Sequence, residues 1–177
     1  MKIVGGLGLF AVALLAGCGQ EADDIRLQEI TCPAVAVPAY GRDLVQWQGD
    51  GHDLTNLAYR VRIADAEGSC TQSNRTLNLS TRILVILQAT RGPALAGRTI
   101  TADYFVAVMR QGRIIDKQDY ELTGVFPPNT DQLTLPGQPV KMNLPISQQI
   151  DGSAYTIEVG MQLTPDQLSD NVTSSRR

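Results

Sequence analysis

An antiparallel β-sandwich with one short C-terminal helix is the fold this sequence predicts. Three observations carry it. Apolar and polar residues alternate with period two in one segment after another. Gly, Pro and Asn/Asp turn signals separate those segments, with no helical stretch between them. The chain has 177 residues, 43% of them hydrophobic and 19% charged. That suits one domain with a real core rather than a disordered chain.

The elements follow in chain order. Cys32-Pro33-Ala34-Val35-Ala36-Val37 reads as a first strand. Asp43-Leu44-Val45-Gln46-Trp47 is compatible with a short strand or with a turn of helix. Leu57, Tyr59, Val61 and Ile63 then alternate with Asn56, Arg60 and Arg62, the mark of a half-buried strand. Leu77, Leu79, Thr81, Ile83, Val85 and Leu87 share one face of the next strand, and Leu84 and Ile86 make its second half apolar on both faces. Residues 100–109 read as a central strand. Gln111-Gly112 supplies a hairpin turn into residues 114–123. Pro127-Pro128 breaks the pattern, because paired prolines cannot sit in a central ladder. Val140, Met142, Leu144 and Ile146 form a strand whose Pro145 places it at a sheet edge. Tyr155, Ile157, Val159, Met161 and Leu163 give the cleanest alternation in the chain. Finally Thr164 can cap a helix, Pro165 suits its first position, and Gln167 completes a capping box. That helix is predicted to run to about Asp170, with 171–177 as a flexible tail. A bridge from the first strand would suit an immunoglobulin-like arrangement, although Trp47 lies only in the ambiguous segment. A small open barrel remains an alternative.

The N-terminus predicts the compartment. Lys2 is followed by an uncharged apolar and glycine run over 3–15, then by Ala16 and Gly17. This is the layout of a secretory signal peptide, and it is shorter than a bilayer-spanning helix. Leu15-Ala16-Gly17-Cys18 resembles a bacterial lipobox. The resemblance implies cleavage before Cys18 and attachment of acyl chains, palmitate among them, to that residue. Several chains anchor stably where one is marginal. Gly19 rather than Asp stands after the cysteine. By resemblance to Gram-negative lipoproteins, this implies the periplasmic face of the outer membrane. The layout is therefore a cleaved leader over 1–17, a lipidated cysteine and acidic tether over 18–29, and a domain over 30–170. Removing Lys2 takes the formal charge from −3 to −4. Residues 19–29 reach at most about 38 Å when extended.

With Cys18 acylated, Cys32 and Cys70 remain. In an oxidising compartment they are expected to form one disulfide. A loop of roughly 39 residues makes that worth about 4 kcal/mol in the chain-entropy picture.

The search for chemistry finds little. An acidic chain without a basic face is not expected to bind nucleic acid. His52 is the one imidazole, in the polar run Gly51-His52-Asp53. No Gly-x-Ser-x-Gly elbow accompanies it. Asp50, Asp53, Asp65 and Glu67 do not follow a calcium-loop pattern. No glycine-rich phosphate loop follows a strand. Neither catalysis, a metal nor a cofactor is expected. Arg82, Arg91, Arg98, Arg110 and Arg113 could form a basic patch, or simply sit on solvated faces and turns. Residues 125–135, with Phe126 beside Pro127-Pro128, are a candidate contact loop, with Phe126 in the core as the alternative. The asparagine triplets at 74, 78 and 171 match a glycosylation pattern by chance.

Five segments are similar to an uncharacterised family of alphaproteobacterial lipoproteins: Cys32-Pro33-Ala34-Val35, Asp53-Leu54-Thr55, Gly68-Ser69-Cys70, Tyr104-Phe105-Val106-Ala107-Val108 and Gln162-Leu163-Thr164-Pro165-Asp166-Gln167-Leu168. The resemblance implies an envelope lipoprotein with one β-rich domain and supplies no activity. The expected function is a lipid-anchored, non-catalytic binding or structural module for another envelope component, with an envelope protein as the expected partner, reached through a sandwich edge. The alternative is a small-ligand or glycan binder using a cleft near Trp47, Tyr40 and Tyr59.

Overall fold

The computed structural model describes residues 30–73 and 75–174. The expected leader over 1–17, Cys18 as the expected lipid-attachment residue, and the expected tether over 18–29 lie outside the described residues. Among the described residues, nine strands form two facing sheets. They are β1 (Ala34–Ala36), β2 (Asp43–Trp47), β3 (Leu57–Ser73), β4 (Asn78–Arg91), β5 (Thr99–Arg110), β6 (Arg113–Val125), β7 (Gln132–Pro136), β8 (Val140–Pro145) and β9 (Thr156–Met161). A helix, α1 (Pro165–Ser174), follows. The first sheet runs β1-β9-β5-β6. The second runs β2-β3-β4-β7, with β8 pairing farther along β4. All pairs are antiparallel except β1 with β9, which is parallel. The all-β sandwich read from the alternation is the observed fold.

The core lies between the sheets. Leu79, Ile83, Val85, Leu87 and Ala89 of β4 face Ile100, Tyr104, Val106 and Val108 of β5 and Ile157, Val159 and Met161 of β9, all buried. The period-two reading of β4 holds from Leu79 onward. Leu77 instead occupies the preceding turn, at φ 48 and 58% exposed. Thr81 sits among these side chains with its hydroxyl buried and unpartnered. Gln111 and Gly112 both have positive φ, 51 and 72, as a tight hairpin turn of matching twist requires.

Two expectations, the ends of β3 and of the helix, are corrected, and two open readings, segment 43–47 and the Phe126 loop, are decided. The strand read to Ile63 continues to Ser73, because a bulge between Ile63 and Asp65 shifts its register against β4. A bulge reverses which side chains face inward. Beyond it Ala66, Gly68 and Cys70 pair with inward-facing Val85, Ile83 and Thr81. That reversal aims Cys70 at Cys32, and the two form a disulfide with a Cα–Cα distance of 5.7 Å that ties the sheets together. Segment 43–47 is a strand, not a turn of helix. The candidate contact loop is not a free loop: Phe126 is fully buried, and Gln132–Pro136 is strand β7 with Leu135 in the core. The prolines interrupt the chain only between β6 and β7. The helix passes Asp170 and runs to Ser174, because Asn171 is held by the body of the domain. Residues 175–177 lie outside the described residues.

Candidate functional site

A sandwich offers two kinds of surface, its strand edges and the clefts beside them. The edges differ sharply here. Strand β2 ends one sheet. Asp43 and Val45 pair outward-facing Arg62 and Arg60 of β3, and their carbonyls point away from the sheet. Helix α1 occupies that edge. Gln167 Nε2 donates to Val45 O at 3.0 Å. One turn on, Asn171 Nδ2 donates to Asp43 O at 2.7 Å and Tyr40 O at 3.0 Å. The capping box read from sequence holds the helix start: Gln167 N donates to Thr164 Oγ1 at 3.3 Å, and Thr164 N to Gln167 Oε1 at 2.9 Å. Gln167 thus uses one end of its amide for the cap and the other for the strand edge. Covering an edge with a helix prevents a foreign strand from adding there.

Strand β6 ends the other sheet and pairs only with β5. Its parity can be worked out. Phe126 N donates to Arg98 O at 2.8 Å, in the register Thr99↔Val125. Gln162 N donates to Asp103 O at 2.8 Å on the other side of β5. Antiparallel bonds join every second opposed pair. So Asp116, Gln118, Tyr120, Leu122 and Gly124 bond β5, while Lys117, Asp119, Glu121 and Thr123 turn their N–H and C=O groups to the open edge. Among the described residues no backbone group bonds that edge. Its outward side chains are mixed in charge, and Lys117 Nζ pairs with Asp119 at 2.7 Å while lying 4.9 Å from the Phe105 ring centre.

A cleft of about 780 Å³ lies between the outer face of β2 and β3 and α1. A bulge at Gln46 and Trp47 turns the indole into it. Asp53 caps the short turn Leu54–Asn56 by accepting from Thr55 N at 2.8 Å and Asn56 N at 3.3 Å. These bonds, led by the Thr55 hydroxyl, hold its carboxyl below the usual carboxylate value. With Gln48 N donating to Asn56 O at 2.8 Å, they close the loop that carries His52. His52 stacks on Trp47 with ring centres 5.4 Å apart. Asp53 is therefore occupied by a cap rather than orienting the imidazole. The cleft hydroxyls are also committed, Thr164 to Gln167 N and Thr173 to Ser169 O. Arg62 binds Asp43 at 2.8 Å, which raises the guanidinium's already high pKa.

Of the three aromatics expected at one cleft, only Trp47 lines it. Tyr59 has the inward parity of Val61, and its hydroxyl reaches across to Thr101 O at 2.9 Å. Burial raises its pKa, as does Asp103. Tyr40 is exposed beside the α1 contact. The five arginines do not form one patch. Arg82 lies on the middle of β4 beside Lys141. Arg91 and Arg98 line a smaller cleft with Asp131 at one end of the sandwich. Arg110 and Arg113 flank the β5–β6 turn at the other. Asp50, Asp65 and Glu67 join no cluster: among the described residues, no three His, Cys, Asp or Glu side chains gather as a metal site would need. Among them, too, no helix is long and apolar enough to cross a membrane. Comparison with protein-family models, with curated proteins and with solved structures finds no match for this chain.

Proposed function

We propose that this chain is a lipid-anchored, non-catalytic binding module of the cell envelope. Cys18 carries the acyl anchor, and the free edge of β6 receives an extended segment of another envelope protein. The observation that supports the reading is the contrast between edges. The β2 edge is covered by a helix whose amides take its outward carbonyls, whereas the thirteen-residue β6 has no such cover among the described residues. An added strand would gain main-chain hydrogen bonds from Lys117, Asp119, Glu121 and Thr123, and the outward side chains would select its sequence.

The test uses proline. The Glu121 N–H faces the open edge, so Glu121→Pro removes no bond to β5 and is tolerated as edge prolines are. A photo-crosslinking residue at Asp119 in cells should capture a partner protein, and Glu121→Pro should abolish capture while the domain stays folded. Undiminished capture in the proline variant, or equal capture from a control position at Thr173 on α1, overturns the edge reading. Lack of palmitate incorporation at Cys18 overturns the anchor.

A further inference from the structure

We propose that the end of the sandwich from which the tether leaves is a membrane-contact face, with the β5–β6 and β3–β4 turns resting on the phospholipid surface that holds the Cys18 acyl chains. The inference rests on the lipid-anchor reading and goes beyond it, since a lipid on a tether of about 38 Å reach fixes no orientation by itself.

Strand register carries the argument. In the first sheet Ala34 lies opposite Thr156, Thr156 opposite Met109, and Met109 opposite Ile114. These residues form one row across four strands. The chain runs from Ala34 into the domain, so residues 30–33 project from the end of the sheet at which Arg110 pairs with Arg113. At about 4.8 Å per strand, Ile114 stands about 14 Å across the sheet from Ala34. The second sheet contributes at the same end. The disulfide sets Cys70 beside Cys32, and β3 continues past it into the turn that leads to Leu77 and Asn78.

That end carries exposed side chains of two kinds. Ile114 and Ile115 are 59% and 53% exposed at the irregularity beside the β5–β6 turn, and Leu77 is exposed in the other turn. Arg75, Arg110 and Arg113 supply positive charge, with Arg110 held 5.7 Å from the Tyr155 ring centre. Two acids stand nearby, Asp151 accepting from Ser153 N and Asp116 from Gln118 Nε2; these uncharged donors do not cancel carboxylate charge, and the three arginines outnumber these two acids. Apolar tips flanked by arginines fit a phospholipid interface, where apolar groups enter about 5–10 Å and cations meet anionic headgroups. A protein partner would have no comparable reason to lie at the end where the anchor emerges. With this end down, the β6 edge stands along the membrane normal and remains open to a strand.

The native fluorescence supplies the test. Trp47 is the one tryptophan, and it pairs with Leu57 at the opposite end from the Cys32–Cys70 bridge. The lipidated mature protein is incorporated into phosphatidylethanolamine–phosphatidylglycerol vesicles doped with lipid spin-labelled near the headgroup. The tryptophan added by Ile114→Trp should be quenched about threefold more strongly than Trp47 in the parent, given the shallow insertion depth of such groups. Arg110→Glu with Arg113→Glu should return it to the Trp47 level. Equal, weak quenching at both positions in vesicle-bound, palmitate-labelled protein overturns the orientation while leaving the anchor intact. Protein that takes no palmitate and does not float with vesicles overturns both. Should Ile114→Trp fail to fold, Ile115→Trp reads the same contact from the neighbouring position.

Discussion

Replacing Gln167 and Asn171 with alanine together should detach α1 from the β2 edge. Four side-chain hydrogen bonds disappear: to Val45 O, Asp43 O and Tyr40 O, and from Thr164 N. Each such bond contributes a net of about 0.5–1.5 kcal/mol. The freed carbonyls lie at an edge that water can reach, so the lower half of that range applies, giving about 3 kcal/mol for the set. Alanine is the better helix former at both positions, which returns about 1 kcal/mol. The net loss is about 2 kcal/mol, or about 6 °C in Tm for a domain of this size. Thermal denaturation of the protein reads the stability. Hydrogen exchange of the peptide spanning 43–47 reads the edge, and protection there should fall while β4 stays protected. A double variant that melts within about 1 °C of the parent, with exchange at 43–47 unchanged, would refute the assignment of α1 as an edge cover.

Other outcomes follow from the core and the bridge. Thr81→Val removes a buried hydroxyl with no partner and should stabilise the domain by about 1 kcal/mol in chemical denaturation; destabilisation would mean that the hydroxyl is satisfied in solution. Replacing Cys32 and Cys70 by serine should cost about 4 kcal/mol; a midpoint equal to the parent's under non-reducing conditions would show that the bridge does not constrain the unfolded chain. Burial raises the pKa of Tyr59, Tyr104 and Tyr120, reinforced by Asp103, Tyr120 and Asp116 respectively. A raised phenol pKa favours the neutral form in the fold. The stability it contributes is complete below the unfolded value near pH 10 and is lost as pH rises through the folded values. Ultraviolet titration should show tyrosinate appearing together with unfolding above about pH 10, and three phenols ionising normally in a folded chain would contradict the burial argument.

Much of this fold is legible because it is local. The capping box at Thr164 and Gln167 needs only four residues, and it forms as the spacing predicts. The alternation of β4 survives because one of its faces meets the opposite sheet along most of its length. What escapes the sequence depends on partners far along the chain. The bulge at Ile63 and Asp65 exchanges the inward and outward parities, so the second half of β3 carries no continuous pattern. Strand β7 is too short to show a period and exists through its pairing with β4. For the candidate site, Trp47 is found correctly, but Tyr59 belongs to the core face, as its identical spacing to Val61 implies. The guarded and open edges are invisible in one dimension, because nothing in Gln167 or Asn171 announces that a strand more than a hundred residues earlier will lie beneath them.

The disulfide also decides how the domain bears force. A tension applied to the chain from its N-terminal side reaches the fold at residues 30–33, just ahead of β1. That strand has three residues at a sheet edge, held by one neighbour, and would yield readily on its own. The Cys32–Cys70 bond diverts the load before it reaches β1. It passes into β3, which is flanked by β2 and β4 and registered against β4 from Tyr59 to Ser73. Pulled along its own axis, β3 loads many ladder bonds in parallel rather than opening them one after another. Under oxidising conditions the protein behaves as a rivet set through the middle of a sheet. Under reducing conditions the same pull begins at a three-residue edge strand, so resistance to mechanical unfolding becomes a property of the surrounding thiol chemistry.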